Sequence, residues 1–148
     1  MKNNKINKEE TLEKFSKLMD IVESLRGENG CPWDKKQTHS SLKGSLLEEA
    51  KEATEAIQIW EERQDIDPLV EELGDVLFHI LLHSQIGKEE GSFELADVID
   101  AISFKMVHRH PHVFDRENYE KETVHKTWAE LKAEEKALKE QRKSFEKE

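Results

Sequence analysis

Asp67-Pro68-Leu69-Val70-Glu71-Glu72-Leu73-Gly74-Asp75-Val76-Leu77-Phe78-His79-Ile80-Leu81 is the stretch on which the reading of this chain turns. Leu69, Leu73, Val76, Leu77, Ile80 and Leu81 recur at spacings of three and four, the period of a helix with one buried face. Asp67 followed by Pro68 reads as an N-cap with proline at the first helical position, and Gly87 and Gly91 bound the far end. Glu72 and Asp75 interrupt this apolar pattern three residues apart, so they share a face on successive turns. A carboxylate in so apolar a helix is expensive unless it is paired or bound to a metal.

About twenty residues upstream lies a second acidic group, Glu48, Glu49 and Glu52 within Leu46-Leu47-Glu48-Glu49-Ala50-Lys51-Glu52. Its helix is expected to begin near Thr38 or Ser40, to carry Leu42, Leu46, Ala50, Ala53 and Ile57 on its apolar stripe, and to fade at Glu62 or Arg63. At about 1.5 Å per helical residue and about 3.3 Å per residue of connection, the five residues from Arg63 to Asp67 are long enough to let the two acidic groups meet. Converging carboxylates repel by several kcal/mol in a partly dry site, a cost that a divalent cation removes. Oxygen-only ligation favours Mg²⁺, with Mn²⁺ as a second choice, over zinc. The competing reading is a solvated acidic face offset by lysines.

The remaining periodicity is helical as well. Asn7 and Glu10 mark the start of a helix from about Lys8 to Arg26 with Leu12, Phe15, Met19, Val22 and Leu25 on one side. Gly27 and Gly30 end it, and Cys31-Pro32-Trp33-Asp34 reads as a turn or loop. Ser92 is expected to cap a helix carrying Leu95, Val98, Ile99, Ile102 and Met106 that stops before Pro111. An irregular stretch from His112 to Tyr119 follows, then a helical run from near Lys121 with Val124, Trp128 and Leu131. Beyond it only Leu138 and Phe145 are large and apolar, so 132–148 reads as a charged tail, solvated and frayed or ordered by a partner. The fold class is all-α, a helical bundle in one domain over 1–131.

Composition limits the function. The chain has 148 residues and a net charge of −10, which argues against a nucleic-acid polymer as partner. It leaves room for a single nucleotide whose charge a metal neutralises. One cysteine, Cys31, excludes an internal disulfide, and Met1-Lys2-Asn3-Asn4-Lys5 leads into no apolar segment of signal or membrane-spanning length. A cytoplasmic protein with no membrane partner is the expectation.

Several further residues have chemistry to offer. Lys105 and Arg109, one turn apart, present two cations to phosphate oxygens or simply complement a helix C-terminus. Trp128 and Lys132 repeat that spacing with an aromatic plane and a cation, although Trp128 also suits a core. No glycine-rich phosphate loop is present. His79 and His83 lack a His-Glu-x-x-His context and read as packing or surface groups, and His108, His110 and His112 as shaping a helix end. Trp33 reads as a structural anchor.

Taken in order, Gly30-Cys31-Pro32-Trp33-Asp34 with Gln37-Thr38, the Glu-Glu-x-x-Glu of Glu48 to Glu52, Glu72-Leu73-Gly74-Asp75-Val76-Leu77-Phe78 and Arg109-His110-Pro111-His112-Val113-Phe114 resemble the MazG family of all-α nucleoside triphosphate pyrophosphohydrolases, from about Leu18 to Lys132. The resemblance implies a helical fold completed by dimerisation or higher assembly, and metal-dependent cleavage of nucleoside triphosphates to monophosphate and pyrophosphate. It implies Glu49, Glu52, Glu72 and Asp75 as Mg²⁺ ligands, Glu48 as the group that orients or deprotonates water, and Lys105, Arg109, Trp128 and Lys132 at the substrate. Pro68 stands where some members have a lysine, and only one copy of a domain that others carry in tandem is present. Phosphoribosyl-ATP pyrophosphohydrolase, an all-α dUTPase and a non-catalytic dimeric regulator are the alternatives. A di-iron bundle is disfavoured because the acidic helices hold no Glu-x-x-His pair.

Overall fold

The computed structural model describes residues 7–145, with side chains through 143. The Met1–Lys5 lead, the side chain of Phe145 and the last three residues of the tail lie outside these. Every regular element among the described residues is a helix. The chain gathers into two compact units, divided between Leu95 and Ala96.

The first unit contains α1 (Lys8–Arg26), α2 (Pro32–Lys35), α3 (Lys43–Arg63) and α4 (Asp67–Glu90). Asn7 caps α1 as expected: its side-chain oxygen accepts from the Glu10 backbone N–H at 3.3 Å, satisfying a donor that the first turn leaves open. Helix α4 packs against both α3 and α1. Val22, Leu42, Leu81, Leu82 and Ile86 form the buried core, with Phe15, Leu18, Leu77, Phe78 and Leu95 packed around it. The apolar stripe of α4 is therefore buried in its C-terminal half, whereas Leu73 and Ile80 stay exposed. Ala53 and Ala56 are the buried positions of α3, and the expected stripe residue Ile57 is exposed.

Helix ends required four corrections. Cys31-Pro32-Trp33-Asp34 is not a loop throughout, because Pro32 opens the single turn α2, where a missing N–H costs nothing. Arg26 holds that turn in place: its Nη1 donates to the Asp34 and Gln37 carbonyls at 2.6 and 3.1 Å, and its Nε and Nη2 grip Glu89. Trp33, expected as a structural anchor, is 76 % exposed. Thr38 and Ser41 close a turn on each other, so α3 starts only at Lys43. Pro68 falls at the second position of α4 because the cap is Ile66 rather than Asp67. Ser92 does not begin the next helix; its N–H and hydroxyl both donate to the Gly87 carbonyl and finish α4. Gly91 takes the left-handed conformation there, with φ 68°. The Phe93 ring lies over Gly87, where a Cβ would meet it at 2.6 Å.

The second unit holds α5 (Leu95–Arg109), α6 (Pro111–Phe114), α7 (Arg116–Lys121) and α8 (Trp128–Phe145). The stretch expected to be irregular folds as α6 and α7. The final helix begins at Trp128, not near Lys121, because Thr127 and Glu130 form a reciprocal cap at its start. Val124, expected within it, lies before it and is 83 % exposed. None of the residues of α5 is fully buried, although Val98, Ile99, Ile102 and Val107 make it apolar. On α8, Leu131 and Glu135 are buried, so the first turns of the charged tail are not a uniformly solvated helix.

Candidate metal centre

The two acidic groups meet. Only Gln64, Asp65 and Ile66 separate α3 from α4, with Gln64 in the left-handed conformation and its N–H bonded to the Trp60 carbonyl. Such a tight connection folds α4 back along α3. One carboxylate oxygen from each of Glu49, Glu72 and Asp75 lies within 4.8 Å of the others. Oxygens at about 2.1 Å from a Mg²⁺ stand about 3 Å apart in cis and about 4.2 Å in trans, so a small contraction seats the ion.

The electrostatics are those of like charges without a counterion. Desolvation, then the Asp75 and Glu52 carboxylates, push the Glu49 carboxyl above its ordinary range, with His79 pulling weakly the other way. Glu72 is raised as well, by desolvation first and then by Glu52, Asp75, Glu49 and Glu71. Its Oε2 is buried and, among the described residues, accepts no hydrogen bond. A buried oxygen with neither donor nor cation is costly. The donor set, all carboxylate oxygen, fits a hard divalent ion.

The other expected residues are distributed differently. Glu52 lies outside the close triad but near enough to act on both Glu49 and Glu72. Glu48 is exposed, 3.9 Å from Lys51 Nζ, because adjacent residues on a helix point about 100° apart. His79, expected to pack or to lie at the surface, is buried. It nevertheless sits one turn beyond Asp75, close enough to influence Glu49, with Nδ1 lacking a partner among the described residues. The four-residue spacing from Asp75 was the signal for it.

In the second unit, Lys105 is half-buried on α5, and Lys132 is exposed on α8. Arg109 is engaged: its Nε donates to Glu135 Oε2 at 2.8 Å. Its guanidinium carbon stands 5.1 Å from the centroid of the Trp128 ring, whose edge meets His110. Trp128 is half-exposed rather than a core residue. Sequence reading missed Glu135, since a glutamate within Ala133-Glu134-Glu135-Lys136 carries no local mark of burial.

A family model of the MazG nucleotide pyrophosphohydrolase domain matches residues 37–114, more than half of the chain and including all four expected metal ligands. The chain belongs to the MazG family. It is 52 % identical over 132 residues to "Uncharacterized protein YabN" of Bacillus subtilis, a match covering 87 % of this chain and 26 % of that protein. The MazG nucleoside triphosphate pyrophosphohydrolase/pyrophosphatase of Thermotoga maritima is 47 % identical over 84 % of this chain and 46 % of its own. The nucleoside triphosphate pyrophosphohydrolase of Escherichia coli K12 is 42 % identical over 88 % of this chain and 49 % of its own. This MazG chain thus spans half or less of the length of these curated relatives. Among its described residues no helix is long and apolar enough to cross a membrane.

Proposed function

We propose that this chain is a Mg²⁺-dependent nucleoside triphosphate pyrophosphohydrolase, converting (d)NTPs or non-standard nucleotides with water to a nucleoside monophosphate and pyrophosphate. One observation carries the reading: three carboxylates from two helices converge within 4.8 Å, one of them with a buried oxygen that accepts nothing among the described residues. Mn²⁺ is the substitute ion, and the cytoplasm is the proposed location. The exposed apolar side chains of α5 support assembly as a homodimer or higher oligomer.

Glu49, Glu72 and Asp75 hold the ion, with Glu52 completing the set. The cation, when bound, supplies charge neutralisation and Lewis acidity at the triphosphate. Glu48 orients the attacking water or takes its proton, after its side chain turns away from Lys51. Lys105 and Arg109 bind phosphate oxygens and stabilise the charge that builds on them. Trp128 offers a flat surface to the nucleoside, and Lys132 a cation one turn further along the same helix.

Incubating the purified chain with a panel of nucleoside triphosphates and Mg²⁺, then measuring pyrophosphate, tests the reading. Glu52→Gln and Asp75→Asn should each abolish release while leaving helical circular dichroism unchanged. Full activity in either variant would remove the metal assignment.

A further inference from the structure

Glu135 breaks the pattern of its surroundings. It lies in a run of glutamates and lysines, yet is 3 % exposed. Both of its oxygens are used: Oε2 accepts from Arg109 Nε and Oε1 from Lys139 Nζ, each at 2.8 Å. Arg109 commits only Nε to this pair, and its guanidinium carbon lies over the Trp128 ring, 5.1 Å from the centroid. Among the described residues Nη1 and Nη2 make no hydrogen bond. Those two nitrogens form the fork that clasps a phosphate in bidentate fashion.

We infer that Glu135 is a positioning residue for the triphosphate reaction: it ties Nε of Arg109 so that the Nη1–Nη2 edge is held ready for phosphate oxygens. The inference rests on the reading that Arg109 meets the triphosphate. A glutamate that competed with phosphate would take the fork itself. This one takes the edge that phosphate does not need. Lys139 offsets the glutamate's charge, so the two cations and one anion leave the cluster attractive to an anion. The two bonds also hold the Glu135 carboxyl down at about 2, the Lys139 bond contributing most, so the anchor stays ionised at every working pH.

The experiment measures binding of inorganic tripolyphosphate to the full chain in Mg²⁺ by calorimetry, which removes any contribution from nucleoside stacking. Arg109→Ala should weaken binding at least about tenfold, and Glu135→Gln about tenfold, the scale of one hydrogen bond to a charged group. The double variant should be no weaker than Arg109→Ala alone, because Glu135 acts only through that arginine. Glu135→Asp keeps the charge but withdraws the carboxylate by one methylene, and should weaken binding severalfold. It decides the matter if the Gln variant fails to fold. Tighter binding by Glu135→Gln would make the glutamate a competitor and overturn the proposal. So would losses that multiply in the double variant, or a Glu135 series that binds normally while Arg109→Ala does not. Unchanged binding by Arg109→Ala would instead remove the underlying reading of Arg109 as a phosphate ligand.

Discussion

Glu72 and Glu135 are both glutamates largely withdrawn from water on helices, and their carboxyl groups are displaced in opposite directions. Glu72 is raised by desolvation first and then by Glu52, Asp75, Glu49 and Glu71, and among the described residues one of its oxygens accepts nothing. Glu135 is lowered to about 2 by Lys139 and Arg109. The difference separates two uses of one side chain. A carboxylate that the chain has supplied with cations holds something in place. Carboxylates crowded together without any repel one another, and in the proposed reading an ion from solution removes that cost.

The largest effect should come from breaking the crowded side. Asp75→Asn removes one of three converging oxygens and should lower Mg²⁺-dependent pyrophosphate release at least about a hundredfold, with helical content retained. The measurement is turnover at saturating Mg²⁺. Activity within a fewfold of wild type would place the ion elsewhere.

Stability should respond with opposite sign in the two regions. In EDTA, Glu49→Gln relieves repulsion and should raise the melting temperature by a few degrees, whereas Glu135→Gln leaves Arg109 and Lys139 without their anion and should lower it by several. Adding Mg²⁺ should stabilise wild type more than Glu49→Gln, since binding to the folded state alone stabilises it as RT ln(1 + [L]/Kd). If both substitutions shift melting in the same direction, the contrast between paired and unpaired carboxylates fails.

The pH dependence separates the regions again. For Glu49 and Glu72 the folded pKa lies above the ordinary 4.5. Their stabilising contribution is therefore complete below 4.5 and is lost as pH rises through the raised value. For Glu135 the folded value of about 2 lies below 4.5, so its contribution is present above 4.5 and is lost as pH falls toward 2. In EDTA, the melting gap between wild type and Glu49→Gln should open on going from acid to neutral pH. The gap between wild type and Glu135→Gln should close between pH 4.5 and about 2. Melting curves collected across that range check both limbs.

How much of this was legible in the sequence follows the range of the interactions. The limits of α1, with its Asn7 cap, and the helical nature of α3 and α4 depend on neighbours within four residues, and periodicity reports those directly. The meeting of Glu49 with Glu72 and Asp75 was readable because spacing fixes which carboxylates share a face and a short connection brings the helices together. Glu52 stands outside the close triad although its three-residue spacing from Glu49 equals that of Asp75 from Glu72, a difference that a pattern of letters does not show. Helices α6 and α7, of four and six residues, are too short to show a period. The burial of Glu135 depends on an arginine 26 residues upstream, and nothing local announces it. The exposed Trp33 failed for the converse reason: size and aromaticity suggest an anchor, while Arg26 does the anchoring through backbone carbonyls.

The smallest effect sharpens the paired side. Lys139 contributes the larger share of what holds Glu135 down, yet its own side chain is 48 % exposed. Solvent screens such a contact, so Lys139→Met should change the neutral melting temperature by no more than about two degrees. The same substitution should lift the Glu135 carboxyl from about 2 toward 4.5, because only Arg109 then opposes the cost of desolvation. The acid limb of the melting curve should move upward in pH and shrink, with the neutral plateau lowered by the matching small amount. An unmoved limb would mean that Arg109 alone keeps Glu135 ionised, and that the bond through Nε is the whole of the anchor.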